Sequence, residues 1–298
     1  MSTALPDLNL DALTDRRNLR PYLYVIPALI VYAVFMLYPV TESFVLSFHR
    51  FTTFNTPNEF VGLSNYQTVL ADPLFWRSLL QTGIFSVGLV FLPATIGLAL
   101  ALLLDRYIGK ATIFQTLIFS PLIMPIVVAG LLFTWIFNTQ GILNYLLMLG
   151  GLIQEPISWL SSQYSLLTIV LMTIWKRTGY YMIILFAGLQ GIPDEMYEVA
   201  KVLGKSRLKT FRHVTLPLLK PAIIVVVVIG VIDSIKLFGH VWVMTKGGPA
   251  HSSEILSTYF YKKTFVFFNL GEGAAVGFIM LLIALLLSTI VVKQSGFI

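Results

Sequence analysis

Four ionisable residues stand where a chain built for lipid should carry none. Lys176 and Arg177 fall in one apolar stretch, and Asp233 and Lys236 fall in another. Charge inside a membrane span is costly, so such residues pair with each other, carry ions, or line a wet path for a solute. Asp233 and Lys236 are three apart and share a helical face. Counted from the same side of the membrane, Lys176 lies about 14 residues deep and Asp233 about 16. All four can therefore ring one cavity near the midplane. Trp175, Tyr180 and Tyr181 add the aromatic faces on which sugar rings stack. Three readings stay open: Asp233 neutralising Lys236 or Lys176, an ion or proton cluster, and solute contact along a translocation path.

A second set of residues is polar and basic. From Gly191 the chain runs through Pro193, Asp194, Glu195, Glu198 and Ala200 to Gly204, and on through Lys205, Arg207, Lys209 and Arg212 to Leu216 and Pro217. Pro193 suits a helix start, and the acidic residues after it suit the positive end of the helix dipole. Gly204 is a helix stop. A second helical piece follows, and Leu216-Pro217 is expected to end it and turn the chain back into lipid. The expected element is a helix–glycine–helix hairpin over 193–217. A basic loop resting on anionic headgroups is the plainer alternative. Gly204-Lys205-Ser206 resembles the end of a phosphate-binding loop, but the first glycine of that motif would fall on Val199 and no strand precedes it.

These residues must be positioned by membrane helices. Of 298 residues, 57% are hydrophobic and 11% charged, and the mean hydropathy is +0.83. The charged share is about half that of a soluble domain. Apolar runs long enough to cross the bilayer occur at about 22–46, 79–104, 112–137, 164–189, 218–244 and 273–292. Each must satisfy its own backbone in lipid, so the fold class is all-α with six transmembrane helices. Pro93, Pro121 and Pro125 are expected to interrupt the second and third spans. Residues 1–21 read as a polar tail and 22–298 as a single transmembrane domain. Twelve Lys and Arg lie on the side of the N-terminus and the hairpin, against five on the other. The positive-inside rule puts both termini and the hairpin in the cytoplasm of an inner-membrane protein. Trp76, Trp135, Trp159 and Trp242 fall near span ends, where an aromatic belt is expected. Ile142 to Leu152 suits a short interfacial helix, and Thr245-Lys-Gly-Gly-Pro249 is a turn signal.

The spacing in the hairpin is specific. Glu198, Ala200, Gly204, Val214 and Leu216-Pro217 resemble the EAA loop of ABC-importer permeases, with Val199 and Val214 replacing an alanine and an isoleucine of that pattern. Phe60-Val-Gly-Leu-Ser-Asn-Tyr66, the Pro121–Asn138 stretch with Gly141 and Asn144, and Thr245-Lys-Gly-Gly-Pro249 resemble the carbohydrate-uptake branch, which includes the maltose and glycerol-3-phosphate types. The resemblance implies a permease core over about 75–293 and a coupling helix between spans four and five. It implies that Glu198, Ala200, Gly204, Leu216 and Pro217 meet a cytoplasmic ATPase, and that Lys176, Arg177, Tyr180, Tyr181, Asp233 and Lys236 line the solute path. It also implies the partners: a second, different permease subunit, two ATP-binding subunits that hold the ATP and Mg, an extracytoplasmic solute-binding protein and the bilayer. No nucleic acid and no cofactor of the chain's own are implied.

The solute class implied is a sugar, oligosaccharide or polyol, with a glycerol-phosphate as the alternative. A membrane-embedded enzyme lacks its requirements. His49, His213, His240 and His251 form no metal-binding pair, no nucleophile elbow or carboxylate cluster is present, and the absence of cysteine excludes thiolate metal sites. A secondary carrier would be expected to show internal repeats.

Overall fold

The computed structural model describes residues 16–51, 59–106 and 111–294. Most of the expected N-terminal tail, and Lys110 of the basic side, lie outside the described residues. Five helices are long and apolar enough to cross a membrane, and one bent pair makes a sixth crossing if counted together. The first span joins α1 (Arg16–Tyr32) to α2 (Tyr38–Leu46) through a π turn at Ala33–Leu37. Its apolar surface from Tyr24 is almost wholly exposed, so this span lies at the edge of the bundle. A two-residue antiparallel ladder, β1 (His49–Arg50) with β2 (Glu59–Phe60), leads to the short helix α3 (Ser64–Ala71).

The second span, α4 (Pro73–Asp105), is longer than the apolar run suggests. Pro73 opens it, and the Asp72 carboxylate accepts the Leu74 N–H at 2.9 Å as its N-cap. Pro93 does not interrupt it, contrary to expectation. That proline is buried in a helix that packs along most of its length against α8 (Ser165–Gln190). Packing can hold a helix together across one missing ladder bond. α8 is the hub, with more than half of its apolar window buried against a third or less in the other four long helices.

The third span is where proline does break the chain, at Pro125; Pro121, contrary to expectation, sits inside a continuous helix. α5 (Ala111–Ile123) and α6 (Ile126–Ile136) meet at 95°. Pro125 has no N–H to donate and disfavours a helical Met124, so the backbone turns there. α7 (Ile142–Leu149) follows, and Asn144 ties it down by bonding the Thr139 and Ile157 carbonyls at 2.9 Å each and the Trp159 indole at 2.9 Å. Trp159 is part-buried through this bond, and Trp242 is part-buried and stacked on Phe238. Trp76 and Trp135 remain exposed as a belt requires.

Beyond α8 come α9 (Asp194–Val202) and α10 (Arg207–Thr210), then a π turn at Phe211–Thr215 and α11 (Leu216–Lys236). Leu216-Pro217 does not end the second hairpin helix. The π turn shifts the bonding by one residue, with Leu216 N–H reaching Phe211 O, so the helix runs on through the proline into the fifth span. That span stops at Lys236 rather than near Met244. Leu237 is extended, its carbonyl accepts the Ser257 hydroxyl at 2.7 Å, and α12 (Gly239–Met244) starts anew against α6. α13 (Leu256–Tyr261) and a π turn lead to the last span, α14 (Leu270–Gln294).

The apolar core divides by depth. Phe85, Leu89, Ile169, Met172 and Ile255 fill the half away from the hairpin. Ala101, Tyr181, Met182, Leu185, Leu219 and Val226 fill the half next to it. The charges of α8 and α11 lie between the two.

Candidate functional site

The hairpin is shaped by its sequence in detail. Asp194 and Glu195 occupy the first turn of α9 and Lys201 the last, each matched to the helix dipole. Gly204 has φ +68°, the left-handed region that costs other residues roughly 1–2 kcal/mol. There Lys205 N–H bonds Ala200 O and Gly204 N–H bonds Lys201 O, both at 3.0 Å. These two bonds are a Schellman stop, and they fix the angle between the hairpin helices.

Its two faces differ. Ala200 is buried, 2% exposed, and Tyr197 packs into the core beside Leu185 and Leu189. The other face stands in the open: Met196, Val199, Val202 and Leu203 are 42, 57, 87 and 67% exposed. Glu198 lies among them, and Leu216 and Pro217 are exposed farther along. An apolar stripe at i, i+3, i+6 and i+7 in an otherwise polar helix is a surface waiting for a partner. Sequence reasoning singled out Glu198, Ala200 and Gly204 but passed over this stripe. Its helical spacing was the signal.

The intramembrane charges divide in two. Lys176 Nζ donates to the carbonyls of Pro121 at 3.0 Å, Leu122 at 3.1 Å and Met124. These acceptors lie at the break between α5 and α6, where the helix loses its own donors. Lys176 therefore serves as the donor for a helix end inside the membrane. Gly179, one turn on, lets α5 cross α8 in backbone contact, since a Cβ there would lie 2.1 Å from Ile118 O. Arg177 turns away and pairs with Asp233 at 2.9 Å, joining α8 to α11. Both side chains are part-exposed, 22 and 30%. Asp233 thus neutralises Arg177, not Lys176 or Lys236 as the residue spacing had suggested. Lys176 is committed to carbonyls, and Lys236 is exposed in the last turn of α11, where a cation suits the helix dipole.

Around the pair, Tyr181 is buried and its hydroxyl lies near Gly230. Tyr180 is half-buried beside it, with the ring centroids 6.0 Å apart. Trp175 packs on Phe133. The structure brings Arg177, Asp233, Tyr180 and Tyr181 into one neighbourhood, gives Lys176 a different task, and leaves Lys236 outside. Among the described residues no His, Asp and Glu cluster offers metal ligands.

The end opposite the hairpin is closed by a network that the turn signal at Thr245 only hinted at. Glu254 is fully buried, and its Oε2 accepts His251 Nδ1 at 2.9 Å and Lys262 Nζ. Gln81 donates to the His251 and Ser252 carbonyls at 3.2 and 3.0 Å, and Ser165 bonds Ser252 at 2.8 Å. Lys263 bonds Glu272 at 2.8 Å and lies 3.5 Å from Asp72. Tyr259 donates to Asp72 at 2.7 Å. Burial alone pushes the Asp72 carboxyl up, but Tyr259, the Leu74 N–H and Lys263 outweigh it and hold the group below the ordinary aspartate value. Burial, then the bond to Asp72, pushes the Tyr259 hydroxyl far up.

Similarity to known proteins agrees with this geometry. The family model described as "Binding-protein-dependent transport system inner membrane component" matches residues 94–294. The chain is 33% identical over 281 residues to the trehalose/maltose transport system permease protein MalF of Thermococcus litoralis, covering 93% of each. It is 36% identical over 291 residues to the lactose transport system permease protein LacF of Rhizobium radiobacter, covering 93% of this chain and 96% of that one. In fold it is similar to a chain of a bacterial ABC transporter involved in the import of the acidic polysaccharide alginate. The TM-score is 0.81 at 23% identity, over 95% of this chain and 97% of that one.

Proposed function

The chain belongs to the family of binding-protein-dependent transport system inner membrane components, and from that premise we propose that it forms half the translocation path of an ATP-driven sugar or oligosaccharide importer. The observation that carries this reading is the hairpin's open apolar stripe, Met196, Val199, Val202 and Leu203, on a helix whose other face is anchored by Ala200 and Tyr197. Such a rigid, half-exposed lever can take force from a soluble ATPase, because its contact with that partner can differ between two states. Glu198 lies on the docking face and Gly204 sets its angle. The excess of Lys and Arg on this side supports a cytoplasmic hairpin and cytoplasmic termini.

Motion reaches the membrane through continuity. α10 and α11 form one helical run from Arg207 to Lys236, so displacement of the hairpin shifts Asp233 relative to α8. The Arg177–Asp233 pair is the charged contact such a shift would make and break, and alternating access is the cycle we assign to it. Tyr180, Tyr181, Arg177 and Asp233 are the side chains we assign to the solute path. A sugar-type solute is supported by the trehalose/maltose, lactose and arabinooligosaccharide systems that name its relatives. A second permease subunit, two ATPases and an outer solute-binding protein complete the assembly. Those relatives are transport permeases rather than enzymes, so ATP hydrolysis falls to the separate subunits.

The test is a Val199→Asp/Leu203→Asp variant of the chain, co-expressed with its partner permease and ATPases. The expected result is normal membrane insertion with loss of the ATPases on purification. Retention of the ATPases with full uptake would contradict the reading.

A further inference from the structure

Between the inner face of the hairpin and the end of α4 lies an open cavity of about 790 Å³. Arg106 from α4's end, Lys201 from α9, Lys205 from the turn and Arg207 from α10 line it. Among the described residues none of these four cations takes part in an ion pair. The one acid on the wall, Asp105, accepts a hydrogen bond from Gln190 at 2.6 Å. The cavity wall thus carries four cations against one anion. The rest of the wall is mainly apolar or aromatic, with Leu102, Tyr197, Leu208 and Phe211, beside the hydroxyls of Thr210 and Thr215.

This cavity is on the opposite face from the apolar stripe. Tyr197, Ala200 and Lys201 face inward, while Val199, Val202 and Leu203 face out. One hairpin therefore presents two surfaces of different chemistry. Four cations from four separate segments match a group that accepts several donors at once, which is the property of a phosphate. The apolar wall, continuous with a membrane span through Leu102, suits the glycerol and first methylenes of a lipid behind that phosphate. We propose that this cavity binds a phosphate-bearing anion, with the headgroup of an anionic phospholipid as its natural source. Occupancy would brace the hairpin against α4 and set the stance from which it meets a partner.

The test uses the full chain with its partner subunits in nanodiscs. One set contains phosphatidylcholine alone and the other adds phosphatidylglycerol; retained lipid is counted by native mass spectrometry. The wild type should retain phosphatidylglycerol in preference to phosphatidylcholine. An Arg106→Gln/Lys205→Gln variant should lose that preference by about 25-fold, roughly five-fold for each neutralised cation. An Arg106→Lys/Lys205→Arg variant should keep it. If the glutamine pair fails to assemble, Lys201→Gln/Arg207→Gln takes its place.

In the phosphatidylcholine set, inorganic phosphate is titrated at constant ionic strength against chloride. Phosphate-specific stabilisation that these neutralising substitutions abolish also supports the site, and assigns it a soluble source. Equal lipid retention in wild type and variant, with no phosphate-specific stabilisation, overturns the proposal. That is the result expected if acidic side chains of a protein partner fill the cavity instead.

Discussion

At the hairpin, four cations take part in no ion pair among the described residues and four apolar side chains are exposed; at the far end Glu254, Lys262, Lys263, Asp72 and Glu272 are all engaged. Both regions draw on the same residue types. One leaves them open to water around a short helix, α9, which is held by the buried Ala200 and the partly buried Tyr197. The other pairs them in part-buried positions around one carboxylate, Glu254, at zero exposure. A charge that is already paired holds its own fold together, whereas a charge or methyl group left open is available to something else. Substitutions at the hairpin should therefore cost function and spare the fold, and substitutions at the far end should do the reverse.

The largest effect is expected from Gly204→Pro. Proline cannot adopt φ +68° and removes the N–H that bonds Lys201 O, so the hairpin angle is lost. Uptake should fall by about 100-fold or more, equivalent to at least about 2.7 kcal/mol of lost coupling, while thermal stability of the membrane bundle stays near that of the wild type. Uptake at the normal rate would end the distinction.

Lys176→Met should act in the opposite sense. It leaves three carbonyls at the α5–α6 break without their donor, at about 1–3 kcal/mol for each group left unsatisfied. A large drop in Tm in detergent is expected, with α5 losing hydrogen-exchange protection first. Unchanged Tm with altered solute affinity would move Lys176 from support to solute contact. Glu254→Gln should cost less, about 2 kcal/mol, since Lys262 can turn toward water once its partner is gone.

A pH scan probes the far end more gently. The Asp72 carboxyl is held below its ordinary value, so its stabilisation is complete above that value and is lost as pH falls through the depressed one. Wild-type Tm should fall more steeply than that of Asp72→Asn on acidification below about pH 4, the ordinary aspartate range. Parallel curves would remove Asp72 from the clamp. The smallest effect is expected at Lys236, exposed and unpaired among the described residues. Lys236→Gln should change stability by no more than about 0.5 kcal/mol.

How much of this was legible in the sequence follows the same division. The spans, the hairpin and its glycine could be read because apolar run length and turn chemistry are local properties. Pro93, Pro121 and Pro217 misled because the outcome of a proline depends on what surrounds it. Buried packing carried α4 past Pro93, a π turn carried α11 past Pro217, and only Pro125 broke a helix outright. The charges were the hardest. Spacing places Asp233 beside Lys236 on one helix face, but a pairing between helices is decided by which side chain is already committed. Lys176 was committed to the Pro121 and Leu122 carbonyls, and that left Arg177 for Asp233. The closed network around Glu254 depends on contacts such as Tyr259 to Asp72, 187 residues apart, which no local pattern announces.

The proposed cycle depends above all on the outward face of the hairpin meeting an ATPase. The chain has no cysteine, so a single one reports without background. Val202→Cys, at the most exposed position of the stripe, should crosslink to the ATPase subunit in the assembled transporter, with a yield that changes on adding ATP. Trp76→Cys at the far end should not. An active transporter in which Val202→Cys gives no ATPase crosslink, or in which both positions crosslink alike, would contradict the account.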